Sequence, residues 1–90
     1  MDKEVIKEFK EELNFFHLLA RRDIEEGFTI NQVEDMLDKC STAFYGSRID
    51  FDELASKKCS FIAVHYYQII EGNIEEDLEE FYSDINNKKM

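Results

Sequence analysis

The chain has 90 residues, of which 43% are hydrophobic and 13% aromatic, and its formal net charge is -10. A chain of this length forms one domain, and its aromatic content is too high for an intrinsically disordered segment. Because a surface with this excess of acids repels phosphate, we expect neither direct nucleic-acid binding nor docking on an anionic membrane.

Helix ends are marked along the chain by glycines and capping residues. The sequence has no proline, and each of its three glycines follows a segment with helical periodicity, as C-terminal caps do. These glycines are Gly27, Gly46 and Gly72. Each is followed by a capping residue three positions before Gln or Glu, namely Thr29, Asp50 and Asn73. The signals predict four helices in a single domain 1–90, at about 3–26, 30–45, 51–71 and 74–86, with a frayed tail at 87–90.

Apolar residues recur every three or four positions in three of these helices, which is the spacing of one buried face. In the first helix this stripe consists of Ile6, Phe9, Leu13, Phe16, Ala20 and Ile24. In the second helix it consists of Ile30, Val33, Leu37, Cys40 and Phe44. In the fourth helix it consists of Ile74, Leu78, Phe81, Tyr82 and Ile85.

The third helix differs, because residues 61–70 are apolar almost all round. A helix of this kind needs several neighbours to cover it, so we predict that it lies at the centre of the fold. Short connections favour antiparallel neighbours. The expected fold is therefore all-α, a small four-helix bundle that is either up-and-down or a compact orthogonal variant, with the third helix central.

Two polar residues, His65 and Lys58, fall on the apolar stripe of the third helix. We interpret His65 as a neutral core histidine that bonds a backbone carbonyl or a tyrosine hydroxyl, and the alternative is a pH sensor or general base. We expect Lys58 to reach solvent from the rim of the core, and the alternative is a deprotonated, reactive lysine.

The sequence lacks the patterns that metal sites and catalytic sites require. Neither His17 nor His65 has a metal-ligating residue three or four positions away on its own helix. There is no nucleophile-elbow motif and no glycine-rich phosphate loop. We therefore predict no catalytic residues, no metal, no cofactor and no enzymatic activity.

The fourth helix carries six acids, which are Glu75, Glu76, Asp77, Glu79, Glu80 and Asp84. Acids in the first turn stabilise the helix dipole, but those farther along form like-charge pairs at four-residue spacing. A binding role accounts for them, and the alternative is a solubilising face. The candidate partner-binding residues are Glu76, Glu79, Glu80 and Asp84.

Four apolar residues lie off the stripes of their helices, namely Phe15, Leu18, Val64 and Tyr67. Such residues either reach a second layer of the core or form a contact surface. They are the candidate contacts of a homodimer.

The cell compartment is predicted from two features. No apolar run approaches the roughly 20 residues that span a bilayer, and residues 1–4 lack the pattern of a secretory signal. We expect a cytoplasmic protein in which Cys40 and Cys59 are free thiols packed as small hydrophobic residues.

These features together predict a non-enzymatic acidic interaction module that binds and modulates a protein with a basic surface, such as a nucleic-acid-handling protein. Inhibition is the expected form of this modulation. Small inhibitors, immunity proteins and anti-defence proteins of mobile elements share this size and charge, which is an analogy of class only. The alternatives are a homodimeric scaffold domain and a small-ligand sensor that uses a buried His65.

Overall fold

The computed structural model describes residues 2–87, and this part of the chain is all-helical, as predicted. It contains five α-helices, which are α1 (Asp2–Glu25), α2 (Ile30–Tyr45), α3 (Glu53–Val64), α4 (Tyr66–Glu71) and α5 (Glu75–Asn87). A short 3₁₀-helix, Gly46–Asp50, connects α2 to α3. Of the predicted frayed tail, Asn87 belongs to α5, and residues 88–90 lie outside the described residues.

The start of α2 follows the predicted capping box. The Thr29 hydroxyl accepts a hydrogen bond from the Gln32 backbone N–H at 3.2 Å, and the Gln32 side chain accepts one from the Thr29 N–H at 2.8 Å. These bonds satisfy N–H groups that have no partner within the helix. At the end of α4, Gly72 adopts a left-handed conformation (φ 80°), which glycine adopts without steric strain.

The prediction of one continuous third helix over 51–71 is wrong at both its start and its middle. The 3₁₀-helix delays the start, and the cap is Asp52 instead of Asp50, since the Asp52 carboxylate accepts from the Leu54 and Ala55 N–H groups. The helix then breaks at His65 (φ -118°, ψ 34°), which separates α3 from α4. The carbonyl oxygen of Phe61 is shared at this point, because it lies 2.8 Å from the imidazole Nδ1 and also accepts the backbone N–H of His65 at 3.0 Å.

The coverage of residues 61–70 is uneven. The sequence predicts several neighbours around this segment, but Val64 and Tyr67 are exposed, whereas Ile62 and Ile69 are fully buried. The segment is therefore covered on one side only. Helix α3 contacts α2 and the 3₁₀-helix, while α1 contacts α2, α4 and α5, so the centre of the fold is shared between these two helices.

An aromatic cluster joins three helices at the middle of the core. Phe9 of α1, Phe61 of α3 and Phe81 of α5 contact one another with ring centroids 4.8–5.4 Å apart. Edge-to-face and tilted arrangements at this distance are favourable because the positive ring edge meets the negative face. The stripe of α1 is buried as predicted around this cluster, with Ile6 and Ile24 half-buried at its two ends.

The prediction of which residues of α2 are buried is only partly correct. Val33 and Leu37 are buried as predicted, but Ile30 and Phe44 are exposed. Tyr45 occupies the core in place of Phe44, because its hydroxyl finds a hydrogen-bond acceptor on α1.

Truncation of Ile62 should destabilise the fold, because this side chain is 0% exposed. We expect Ile62→Ala to lower the free energy of unfolding by about 2–5 kcal/mol through lost burial and the cavity left behind. The matched control is Val64→Ala on the same helix, where Val64 is 74% exposed and the change should stay within about 0.5 kcal/mol. Urea denaturation followed by circular dichroism measures both, and equal effects would contradict the assignment of the buried side.

Candidate functional site

The six acids of α5 are not equivalent in the structure. The Glu75 carboxylate lies 2.8 Å from Lys10 Nζ, and the Asp84 carboxylate lies 2.6 Å from Lys57 Nζ. Asp77 lies 3.5 Å from His65 Nε2. Three of the acids therefore have a cationic or titratable neighbour on another segment, and these contacts link α5 to α1 and to the α3–α4 region.

The remaining three acids, Glu76, Glu79 and Glu80, are exposed, and we call them the α5 acidic face. Within residues 2–87, no basic side chain lies within ion-pair distance of them. Glu79 also lines a groove of about 360 Å³ between α1 and α5, and Lys3 and Lys10 belong to the same lining. Of the four predicted partner-binding residues, Asp84 thus differs from the others, since it is engaged by Lys57.

His65 lies outside the buried core, contrary to the prediction, but its predicted bond to a backbone carbonyl is present. Its side chain is half-buried and stacks on the Phe61 ring at 4.2 Å. Its two nitrogens face two oxygens, the Phe61 carbonyl at 2.8 Å and Asp77 Oδ1 at 3.5 Å. A protonated ring can donate to both oxygens, whereas a neutral ring donates to one. His65 therefore links the helix break to α5.

Lys58 is buried, so the expectation that it reaches solvent is wrong. The residue is 7% exposed, and its Nζ lies 3.4 Å from Glu12 Oε2 and 5.5 Å from the centre of the Phe9 ring. The Tyr45 hydroxyl donates to Glu12 Oε1 at 2.6 Å. Glu12 thus joins Lys58 and Tyr45 in a polar network between α1, α2 and α3, and this network compensates for the burial of the charges.

The surroundings of Tyr45 in α2 and of Tyr66 in α4 raise the pKa values of their hydroxyl groups. Burial, together with the hydrogen bond to Glu12 and its negative charge, raises the pKa of Tyr45 well above its ordinary value of 10. Burial raises the pKa of Tyr66 to about 12, with further contributions from the hydrogen bond that its hydroxyl donates to Asp38 at 3.0 Å and from the charge of that carboxylate. Both side chains favour the neutral form in the folded protein.

The four candidate dimer contacts are all exposed, by 50–74% of their surface, so they do not form a second layer of the core. Phe15 and Leu18 are three positions apart on α1 and hence share a face of that helix. Val64 and Tyr67 lie on either side of the helix break at His65. The candidates therefore come from two separate segments of the chain.

A second groove lies between α1 and α2. The sequence does not predict this groove, because the periodicity of α2 places Phe44 in the core. It measures about 350 Å³, and we call it the α1–α2 groove after the helices that form it. It is lined by Glu8, Glu11, Glu12, Phe15 and Phe44. The signal available in the sequence was the adjacent pair Phe44–Tyr45, of which a helix can direct only one ring into the same core.

The described part of the chain contains neither a metal-binding cluster nor a membrane-spanning helix. Among residues 2–87, no group of three His, Cys, Asp or Glu side chains is placed to hold a metal ion. Within the same residues, no helix combines the length and the apolar character that crossing a bilayer requires. Cys40 and Cys59 are free thiols, half-buried against the core, as predicted.

No protein-family model, curated protein or solved structure matches the chain.

Removal of the Glu12 carboxylate should destabilise the protein, because Lys58 would keep a buried charge without a counter-ion. We expect Glu12→Ala to cost about 2–4 kcal/mol in the free energy of unfolding. The control is Lys10→Ala, which breaks the exposed pair with Glu75 and should cost about 0–1 kcal/mol.

An apolar replacement of the whole network tests the same point. The triple variant Glu12→Leu/Tyr45→Phe/Lys58→Met should recover most of the loss, since no buried charge then lacks a partner. A triple variant as unstable as Glu12→Ala would show that the single change acts through something other than the polar network.

The raised tyrosine pKa values predict a loss of stability in alkali. Because the folded state favours neutral Tyr66, this contribution is complete below the unfolded pKa of about 10 and declines as the pH rises from there to about 12. Unfolding free energies measured in urea at pH 8 and pH 11 should therefore fall less for Tyr66→Phe than for the wild type. An identical fall in both proteins would contradict the prediction.

Proposed function

We propose that the protein is a non-enzymatic interaction module of the cytoplasm that binds, and thereby inhibits, a protein with a basic surface, such as a nucleic-acid-handling protein. The observation that carries this proposal is the α5 acidic face, on which three exposed carboxylates stand on one helix without a basic neighbour in ion-pair distance among residues 2–87.

The electrostatics of this face favour a cationic partner. Glu76 and Glu80 are four positions apart, so their carboxylates lie one above the other and repel in the free protein. Lysine or arginine side chains of a partner relieve this repulsion when they approach. A helix studded with carboxylates can occupy a surface that otherwise holds phosphates, and such an inhibitor would work by occupying it.

Long-range charge adds to the local effect. The net charge of -10 attracts a basic partner before contact and raises the association rate, and this attraction weakens as salt screens it. Asp84 contributes to this field, but its contact with Lys57 makes it a weaker direct ligand than Glu76, Glu79 and Glu80.

The second candidate function is a homodimeric scaffold. Its support is the exposure of Phe15, Leu18, Val64 and Tyr67, which a dimer interface would cover. Analytical ultracentrifugation distinguishes the two, since the scaffold requires a dimer that Phe15→Ser/Leu18→Ser dissolves. The ligand-sensor alternative has less support, because the ring of His65 is already engaged by Phe61 and Asp77.

Charge reversal on α5 tests the proposed function. The α5 variant Glu76→Lys/Glu79→Lys/Glu80→Lys should fold, because all three side chains are exposed. Its partner is first captured from the lysate of the source organism by the wild-type protein and then purified. We expect the association rate of the variant to fall about 10–100-fold at low salt, with the difference shrinking as salt rises.

The control variant Glu4→Lys/Glu25→Lys/Glu71→Lys changes the net charge equally at exposed positions on α1 and α4. It should lose only the part of the rate that comes from long-range attraction. If the two variants bind equally well, the α5 acidic face is not the binding surface and serves solubility alone.

A further inference from the structure

Two phenylalanine rings are exposed side by side at the α1–α2 groove. Phe15 and Phe44 each contact the buried ring of Phe16, with centroids 5.7 Å apart in both cases. Phe44 also packs edge-on against Tyr45 at 5.1 Å. Both rings therefore pack against buried aromatic neighbours, and together they give the groove an apolar floor, as small binding sites on proteins have.

The rim of this groove is acidic. Glu8 and Glu11 are exposed, no basic residue lines the groove, and within residues 2–87 neither carboxylate has an ion-pair partner. Glu12 is held in place by Tyr45 and Lys58, so this part of the wall is fixed from below. The site therefore combines an aromatic floor with negative charge along its α1 side.

The charge decides between two occupants of the groove. A second copy of the chain would bring another molecule of net charge -10 against Glu8 and Glu11. Like charges brought together in a partly desolvated contact oppose association. A partner segment with an apolar side chain flanked by lysine or arginine complements both the aromatic floor and the acidic rim of the groove.

The spacing of the lining residues fits a helix. Glu8, Glu11 and Phe15 are three and four positions apart, so they form one line along two turns of α1, about 10 Å long. A groove between two packed helices accepts a third helix whose anchors recur at the same spacing.

We propose that the α1–α2 groove binds an amphipathic helical segment of a partner protein, with one apolar side chain between Phe15 and Phe44 and with Lys or Arg side chains on Glu8 and Glu11. This inference rests on the proposed function in one respect, that the partner is basic, but it uses different residues. Lys10, which contacts Glu75 of α5, lies about 140° around α1 from Phe15, so the groove and α5 are on different sides of that helix.

The test uses the full chain and a synthetic amphipathic helical peptide of about 18 residues, with Leu and one central Phe on one face and Lys on the flanks. A control peptide keeps every Lys but replaces the apolar face with Gln and Ser. We expect the amphipathic peptide to bind about tenfold more tightly than the control peptide. Backbone NMR shifts on the wild-type protein should centre on residues 8–15 and 44.

Two variants of the chain test the assigned contacts. Phe15→Ser/Phe44→Ser should weaken binding of the amphipathic peptide about tenfold, and Glu8→Gln/Glu11→Gln should weaken it less and reduce its salt dependence. The α5 variant should alter the affinity no more than the control variant at Glu4, Glu25 and Glu71 does. If the double Phe variant does not fold, Phe15→Ser alone and the NMR map of the wild type decide.

The outcomes separate this inference from the proposed function. Equal affinity for the two peptides, shifts confined to α5, or unchanged binding by the folded Phe variants would each overturn the groove assignment. So would a wild-type dimer that Phe15→Ser/Phe44→Ser dissolves, since a second copy would then cover the groove. If the α5 variant loses the captured partner and the double Phe variant keeps it, the proposed function stands and the groove assignment fails. If the double Phe variant loses the partner and the α5 variant keeps it, the groove assignment stands and the α5 acidic face is not the binding surface.

Discussion

The fold depends on the packing of Phe61. Its ring contacts Phe9 of α1 and Phe81 of α5, so the helices on two sides are tied to α3 at one point. The same residue supplies the carbonyl that His65 bonds, and its ring stacks on that imidazole. Phe61 thus lies where the aromatic cluster of the core meets the break between α3 and α4. Because dispersion and burial in such a cluster are shared among three rings, loss of any one loosens the other two.

The polar network at Glu12 connects the aromatic cluster of the core to the surface of the protein. Lys58 lies over the Phe9 ring and reaches Glu12, while Tyr45 reaches the same carboxylate from α2. Tyr45 in turn supports the ring of Phe44 at the α1–α2 groove. The exposed aromatic floor is therefore in contact with the core through Tyr45 and Phe16. This coupling distinguishes the groove from an isolated apolar side chain on the surface.

Sequence periodicity predicts the buried face of a helix correctly where that face depends on local spacing alone. The α1 stripe and the Thr29 cap follow from residues within two turns of each other, and both predictions are confirmed. The break at His65 could not be predicted in this way, because the spacing of apolar residues carries no information about a bond from a side chain to the backbone, such as that of His65 to the Phe61 carbonyl. Whether Phe44 or Tyr45 enters the core likewise depends on Glu12, which is 33 positions away. The burial of Lys58 has the same cause, since its counter-ion lies on a helix distant in sequence.

The dimensions of the molecule limit how one partner could use both candidate surfaces. The Cα atoms span 46 × 27 × 18 Å, and the accessible surface is 6020 Å². A standard protein interface covers about 800 Å² on each partner, which is roughly one eighth of this surface. The α5 acidic face and the α1–α2 groove lie on different sides of α1, so one flat contact of that size cannot include both. A partner that used both would need a basic surface for α5 and a separate helical segment that reaches around α1. Loss of affinity at the groove would then appear mainly in the dissociation rate, and loss at α5 mainly in the association rate, because desolvated apolar anchors govern residence time and exposed charges govern encounter.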